Sequence, residues 1–494
     1  MSTNAAQPSR TRVRESNTPT PEKLRSDSPC DWQSRILFVD DNVRSIGGHY
    51  LELASLLAEG ASELGYGAVL ASHRSFGSVV ARHTDDPRLS MFQVDSRFTV
   101  RRMENWSLGI DGPSRCKRDL TGRPVGSSPE RLRQKIADWF CRPGRRPSRM
   151  IEQWSDQFYA SLVDFRPRRG DVVVVNTAGD FQMLALARAM KRFESHKTFQ
   201  RCQIHAVFHF AVYEGRPDWR SIQFGDQVNA SVAAIRNSGG HRIQIHATTE
   251  PLRNQLRRVG ISATAIDYPT RPRAVPPKTR ETPVKVLLAG LPRAEKGRDE
   301  IRRLLQAIEP EMLRSGRMQV SLQCDPRRWQ RVIPKSLQDV YHTAVSGIGD
   351  DETAGNLALE IKLGNLSSDD YHRWLDTADI GLFLYDAKRY VARCSGVLLE
   401  MLIRGSAVIV PEGCWLADQV RLAETHPEGG KIGWVYRSID ELPSLMRQAT
   451  DEIAEVRESC KRYAARITRR HSGTQSLLAM GVRDLRETTV ERAA

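Results

Sequence analysis

The sequence predicts an α/β protein of two parallel-sheet domains that face each other across a cleft. Three observations carry this reading. Strand-length apolar runs alternate with helix-length amphipathic segments in both halves of the chain, the pattern of β-α-β units. The alternation is interrupted by YPTRPRAVPPKTRETP at 268–283, which holds five prolines and no apolar periodicity. Finally, 494 residues are too many for one ordinary core.

Residues 1–33 are rich in Ser, Thr, Pro and charge, and are expected to be a disordered tail. The first domain is expected over 34–267. It opens with the strand Arg35-Ile36-Leu37-Phe38-Val39. In the helix that follows, Tyr50, Leu53, Ala54, Leu57, Ala61 and Leu64 keep the spacing of one apolar face. Gly65-Tyr66-Gly67 ends that helix before the strand Ala68-Val69-Leu70-Ala71. DVVVVNT (171–177), QIHAVFHF (203–210) and RIQIHATT (242–249) read as further buried strands, and FQMLALARAMKRF as a helix. Proline fixes φ and removes a backbone donor, so 268–283 reads as a linker. A second domain over 284–470 repeats the architecture. Its expected strands are VKVLLAG (284–290), MQVSLQC (318–324), DIGLFLY (379–385) and AVIVPEG (407–413). Helices are expected from about 298, over 372–378 and over 396–404, and a C-terminal helix and tail over 471–494.

The chain carries 74 Lys and Arg against 59 Asp and Glu, a net charge of +15. That balance suits an anionic partner, or serves solubility alone. None of the eight cysteines forms a C-x-x-C pair, which argues against zinc and fits a reducing compartment. The N-terminus has no apolar signal-peptide core, and no apolar run reaches the roughly 18 residues of a membrane span. A cytoplasmic protein is expected.

RILFVDDNVRSIGGHYLEL at 35–53 poses a choice. Its first half, an apolar strand ending in paired acids, resembles a phosphoacceptor receiver domain. The rest of that pattern is missing: Asp95 is followed by Ser-Arg, no strand ends in Thr with a later Lys-Pro, and Val43 to His49 is too long for a receiver's first loop. In the second half, Gly47 and Gly48 stand between a strand and a helix. Glycine there lets the backbone approach a ligand at a helix N-terminus, or simply makes the turn. In the second domain, LAGLPRAEKGRDEI places Gly290 at a strand end, with Arg293, Lys296 and Gly297 after it. Two cations at the carboxyl end of a parallel strand suit a diphosphate; the alternative is a solvated basic loop. In YVARCSGVLLEMLIRG, Ser395-Gly396 opens a helix whose first N–H groups can hold a phosphate oxygen. Glu400 lies one turn in, among apolar residues, where a carboxylate must find a partner.

The order of these motifs resembles a GT-B glycosyltransferase, closest to the retaining family 4 group, over residues from about 35 to 470. The resemblance implies two Rossmann-like parallel-sheet domains and transfer of a sugar from a nucleotide-diphosphate sugar to a hydroxyl, with retention. It implies that Arg293 and Lys296 neutralise the donor diphosphate, that Ser395 and Gly396 bind phosphate through the backbone, and that Glu400 takes the ribose. Gly48 would lie by the donor phosphates and acceptor. His209, in VFHFAVYEG, would stand beside the reacting sugar; the alternative for it is a satisfied core histidine. No metal and no cofactor are expected, because the cations and helix starts take the metal's place. The family's usual Glu-Gly-Phe-Gly run is replaced here by Ala392-Arg393-Cys394-Ser395, which removes a carboxylate eight positions before Glu400. Two other functions therefore stand beside the transferase: a nucleotide-sugar epimerase of the same fold, and a binding scaffold without turnover.

Residues 97–149 hold fourteen Arg or Lys and five Asp or Glu. Within this basic insertion, SSPERLRQKIADWFCRPG reads as a capped helix: Leu132, Ile136, Trp139 and Phe140 share a face, and basic residues occupy much of the rest. Such a helix either docks on its own domain or contacts a membrane surface or a lipid-linked acceptor. A polysaccharide is the other acceptor class expected. No zinc, helix-turn-helix or RNA-binding motif accompanies the charge, so nucleic acid is not an expected partner.

Overall fold

The computed structural model describes residues 34–46, 49–100, 129, 147–276, 283–308, 312–313, 316–338 and 359–486. The N-terminal tail, Gly47, Gly48 and nearly all of the basic insertion with its helix lie outside the described residues.

The first sheet has seven strands: β1 (Arg35–Asp40), β2 (Gly67–His73), β3 (Gln93–Phe98), β4 (Val172–Ala178), β5 (Gln203–Phe208), β6 (Arg242–Ala247) and β7 (Thr264–Ala265). All pair in parallel, in the order β3-β2-β1-β4-β5-β6-β7. Parallel strands need crossovers, and helices on both faces make them. On one face lie α1 (His49–Glu63) and the short α2 (Ser75–Val80). On the other lie α3 (Pro147–Phe165), α4 (Asp180–Phe193), α5 (Trp219–Asn237) and α6 (Glu250–Arg258). Burial on both faces explains why VVVV in β4 needs no polar alternation.

The paired acids at the end of β1 have structural work. Asp40 accepts from the Asn42 amide at 3.0 Å and the Thr177 hydroxyl at 3.3 Å, which ties β1 to β4. Asp41 accepts from the indole N–H of Trp154 at 3.2 Å, and that indole stacks between Phe98 and Phe158. Asp95 is also engaged, by Arg97 and by the Ser161 hydroxyl at 2.7 Å.

The second sheet contains β8 (Val284–Leu288), β9 (Met318–Cys324), β10 (Leu359–Leu363), β11 (Ile380–Leu382), β12 (Ala407–Pro411) and β13 (Gly433–Tyr436). Its order is β10-β9-β8-β11-β12-β13, again parallel throughout. Its helices are α7 (Arg298–Ile308), α8 (Ser368–Asp376), α9 (Gly396–Leu402), α10 (Trp415–Thr425) and α11 (Leu442–Arg470). Both sheets run third-second-first-fourth-fifth-sixth, so each has its reversal point beside its first strand, where crossovers leave opposite sides and open a crevice.

After α11 the chain returns to the first sheet. α12 (Gly473–Met480) packs on α1, and Leu477, Met480 and Val482 complete the core under that face. No helix among the described residues is long and apolar enough to cross a membrane.

Candidate functional site

The strand ends of the two sheets face one cleft of about 730 Å³. It gathers His209, Arg293, Lys296, Ser395, Gly396 and Glu400, which lie far apart in sequence. Ser45, Ile46 and His49, which flank the undescribed Gly47 and Gly48, also line it.

Gly290 and Gly297 shape the loop after β8. Both have positive φ, 90° and 73°. A Cβ on Gly297 would stand 2.1 Å from the carbonyl oxygen of Leu384, so only glycine lets this loop lie against the end of β11. Between them Ala294–Lys296 forms a single 3-10 turn. Lys296 folds back: its Nζ lies 3.2 Å from where a Cβ on Gly290 would be, and 5.3 Å from the centroid of the Tyr385 ring. Burial pulls its ammonium below the ordinary value, and the like charges of Arg293 and Arg393 pull the same way. Arg293 reaches into the open part of the cleft, its side chain 67% exposed and 3.9 Å from Glu295.

Ser395 caps α9, its hydroxyl accepting from the Leu398 amide at 3.2 Å. The N–H groups of Gly396 and Val397 have no partner within the helix, and both residues line the cleft. One turn on, Glu400 accepts from the Tyr371 hydroxyl at 3.1 Å. Burial pushes this carboxyl up to about 7, against the nearby charge of Arg404 and the Tyr371 hydrogen bond. Arg404 is fully buried. It donates to Asp376 at 2.7 Å, to the Glu400 carbonyl at 2.7 Å and to Nδ1 of His372 at 3.0 Å. A guanidinium only donates, so His372 is neutral here. Burial accordingly lowers it to about 4, with Arg273 and Arg404 contributing.

His209 stands just past the end of β5, with Nε2 2.6 Å from the Asn176 carbonyl oxygen. A carbonyl only accepts, so Nε2 carries a proton. Its ring meets Tyr268 edge-on, centroids 5.9 Å apart. The sequence alone gives no site role to Tyr268, Tyr371, Arg404 or Arg393. The i to i+4 spacing of Glu400 and Arg404 was a readable signal; the two tyrosines offered none.

Ala392 is fully buried and belongs to the core of the first domain, and its carbonyl accepts from the Thr249 hydroxyl at 2.6 Å. The place of the missing carboxylate is thus a contact between the two domains. Arg393 beside it lies over Phe210 of the first domain at 4.7 Å and Tyr390 of the second at 5.4 Å. Among the described residues, seven cations line the cleft, Arg88, Arg271, Arg273, Arg293, Lys296, Arg393 and Arg404, against the carboxylates Glu52, Glu295 and Glu400. Such a lining attracts polyanions. Among the described residues, no group of three or more His, Cys, Asp or Glu is placed to hold a metal ion.

No protein-family model matches the sequence, and neither does any curated protein. Solved structures do resemble this one. A sucrose-phosphate synthase from Thermosynechococcus elongatus superposes with a TM-score of 0.53 at 13% identity, over 94% of this chain and 100% of that one. The trehalose-6-phosphate synthase OtsA gives 0.53 at 10% identity, over 91% and 99%. A UDP-forming α,α-trehalose-phosphate synthase from Burkholderia vietnamiensis gives 0.52 at 10% identity, over 93% and 99%. At such identities the likeness is one of architecture, and with two parallel sheets of matching order closing on one cationic cleft, the chain has the GT-B fold.

Proposed function

We propose that the protein is a glycosyltransferase that moves a sugar from a nucleotide-diphosphate sugar to a hydroxyl acceptor, with retention at the anomeric carbon. The observation that carries this reading is the convergence of Arg293, Lys296, Ser395, Gly396, Glu400 and His209 on one cleft between the two sheets. The similar structures support it, since by name they are sucrose-phosphate and trehalose-phosphate synthases, one of them UDP-forming. Retention rests on the resemblance to family 4.

In this reaction the bond from the anomeric carbon to the diphosphate breaks, and its electron pair leaves on the phosphate oxygen. The acceptor oxygen forms the new bond, and its proton passes to the departing diphosphate. Negative charge on that oxygen grows as the bond breaks. Arg293 and Lys296 would meet it, together with the N–H groups at the start of α9, and so stabilise the transition state more than the bound donor. Glu400 would accept from the ribose hydroxyls, and His209 would stand against the transferred sugar.

A panel of UDP-, GDP- and ADP-sugars tests the reading, with nucleotide release followed with and without sugar, sugar-phosphate and polysaccharide acceptors. Release that requires an acceptor is expected. Interconversion of sugars without one would make the protein an epimerase. The buried Ala392 favours the second reading, a scaffold that binds a nucleotide sugar without turnover, and saturable binding with neither reaction would establish it.

A further inference from the structure

Arg393 is a charge held in place without being neutralised. Among the described residues, Arg88 and Arg271 are paired with Glu52, and Arg404 with Asp376. Arg393 makes no such pair; its guanidinium lies over Phe210 at 4.7 Å and Tyr390 at 5.4 Å. Aromatic faces hold a cation by their quadrupole and leave its N–H donors unspent. One ring comes from each domain, so the position of Arg393 is fixed by both walls of the cleft.

Its place within the cleft is informative. Phe210 follows His209, beside which the transferred sugar would lie, and Arg393 precedes the start of α9. On the proposed reading the diphosphate is met by Arg293 and Lys296, which line the same cleft. Arg393 is a further cation, near enough to Lys296 for its charge to be felt there, and it lies over the ring of Phe210, the neighbour of His209. The neighbouring residue supplies no acceptor for sugar hydroxyls, because Ala392 is buried and its carbonyl is taken by Thr249. Arginine has five donors and no acceptor, in a planar fork that fits a carboxylate bidentately.

Resting on the glycosyltransferase reading above, the geometry points to a uronic acid as the transferred sugar, its carboxylate gripped by Arg393. The donor is then a nucleotide-diphosphate uronate. A carboxylate or phosphate on the acceptor would offer the same chemistry from the other side, and the test separates the two.

The test measures binding to the full chain by calorimetry, for wild type, Arg393→Ala and Arg393→Lys. The ligands are UDP-glucose against UDP-glucuronate, GDP-mannose against GDP-mannuronate, and UDP and GDP alone. In one pair the uronate is expected to bind wild type about tenfold or more tighter than the hexose, the size of a charge-assisted hydrogen-bonded pair. Arg393→Ala should abolish that preference and leave the bare nucleotide unaffected; Arg393→Lys should keep only part of it. Equal binding of hexose and uronate to wild type overturns the inference, and this arm stands even if a variant fails to fold. Loss of UDP or GDP binding in Arg393→Ala, as large as the loss of uronate binding, makes Arg393 a phosphate ligand and overturns it too. So does an Arg393 effect that appears only when glucose 6-phosphate is added to the hexose-bound protein, which assigns the anion to the acceptor. Failure of every nucleotide and nucleotide sugar to bind defeats the glycosyltransferase reading itself.

Discussion

Glu400 sits among apolar neighbours on α9, and burial holds its carboxyl at about 7. Only the ionised form accepts from two ribose hydroxyls, so donor affinity should rise as pH rises through that value. Between about pH 6 and pH 8 the gain should approach about tenfold for a group titrating at the midpoint. A nucleotide sugar is the right probe, because its diphosphate does not titrate in this range. Glu400→Gln should flatten the profile, and Glu400→Ala should weaken the donor by about 1.5–3 kcal/mol, the loss of a hydrogen bond to a charged group. A pH-independent wild-type affinity would remove Glu400 from the donor site. The diphosphate clamp gives a second prediction. Arg293→Ala and Lys296→Ala should each lower turnover by about ten- to a thousand-fold, as when one electrostatic stabiliser is lost. The double variant should lose less than the product of the two, because both cations act on one group. EDTA should leave activity intact; full inhibition reversed by manganese would assign the charge stabilisation to a metal instead.

Two elements carry strain or charge that can be tested in isolation. The loop after β8 turns on Gly297, whose φ is 73°. Gly297→Ala should cost at least about 1–2 kcal/mol for the left-handed backbone. The close approach to Leu384 should also shift Lys296 and weaken the donor. Normal donor binding in that variant would show that the loop adapts. Across β5, β6 and β7 runs a chain of side chains whose two histidines are buried. Gln203 lies 3.1 Å from His205, His205 lies 2.9 Å from His246, and His246 lies 2.6 Å from Thr264. The Gln203 amide donates to Nε2 of His205, so each ring donates onward from Nδ1 and both are neutral. Burial lowers His205 to about 4 and His246 to about 3. The unfolded chain therefore binds more protons than the folded one in the window between these values and about 6.5. Stability is full above that window and is lost as pH falls through it. Glu400, raised to about 7, has the opposite sign, but the two strand histidines are joined by His241 and His372, both lowered to about 4. Urea midpoints should thus drop between about pH 7 and pH 5, and His246→Gln should shrink the drop. An unchanged midpoint would refute the buried neutral histidines.

At the scale of the molecule, the two domains are joined by more than the stretch 268–283 expected to link them. Helix α12 crosses back and seats Leu477 and Met480 in the first core. Glycines bring it close to α1: a Cβ on Gly60 would stand 2.3 Å from the Thr474 amide nitrogen, and one on Gly473 would stand 1.8 Å from the Leu56 carbonyl oxygen. Thr249 and Ala392 join the domains through a buried hydrogen bond next to Arg393. Cleavage within 268–283 should therefore yield two fragments on a denaturing gel that migrate as one species on native sizing. Separation of the fragments without denaturant would mean that α12 contributes little to holding the domains together.

The sequence by itself determined what is local. The strands β1, β4, β8 and β12 are apolar runs because both faces of a parallel sheet are covered. The loop from Gly290 to Gly297 and the start of α9 are legible because their residues act within one turn of each other. β10, LEIKL, escaped because its alternating charges at the sheet edge dilute the apolar signal. What the tertiary structure decided is which distant groups meet. Asp41 finds Trp154 113 residues away, Asp40 finds Thr177 137 away, and Thr249 finds Ala392 143 away. The paired acids after β1 thus became structural ties, and Arg393 became a feature of the site only once Phe210 was packed against it. Strand order and domain packing choose these partners, and both depend on burying every apolar face at once, which no single stretch of sequence specifies.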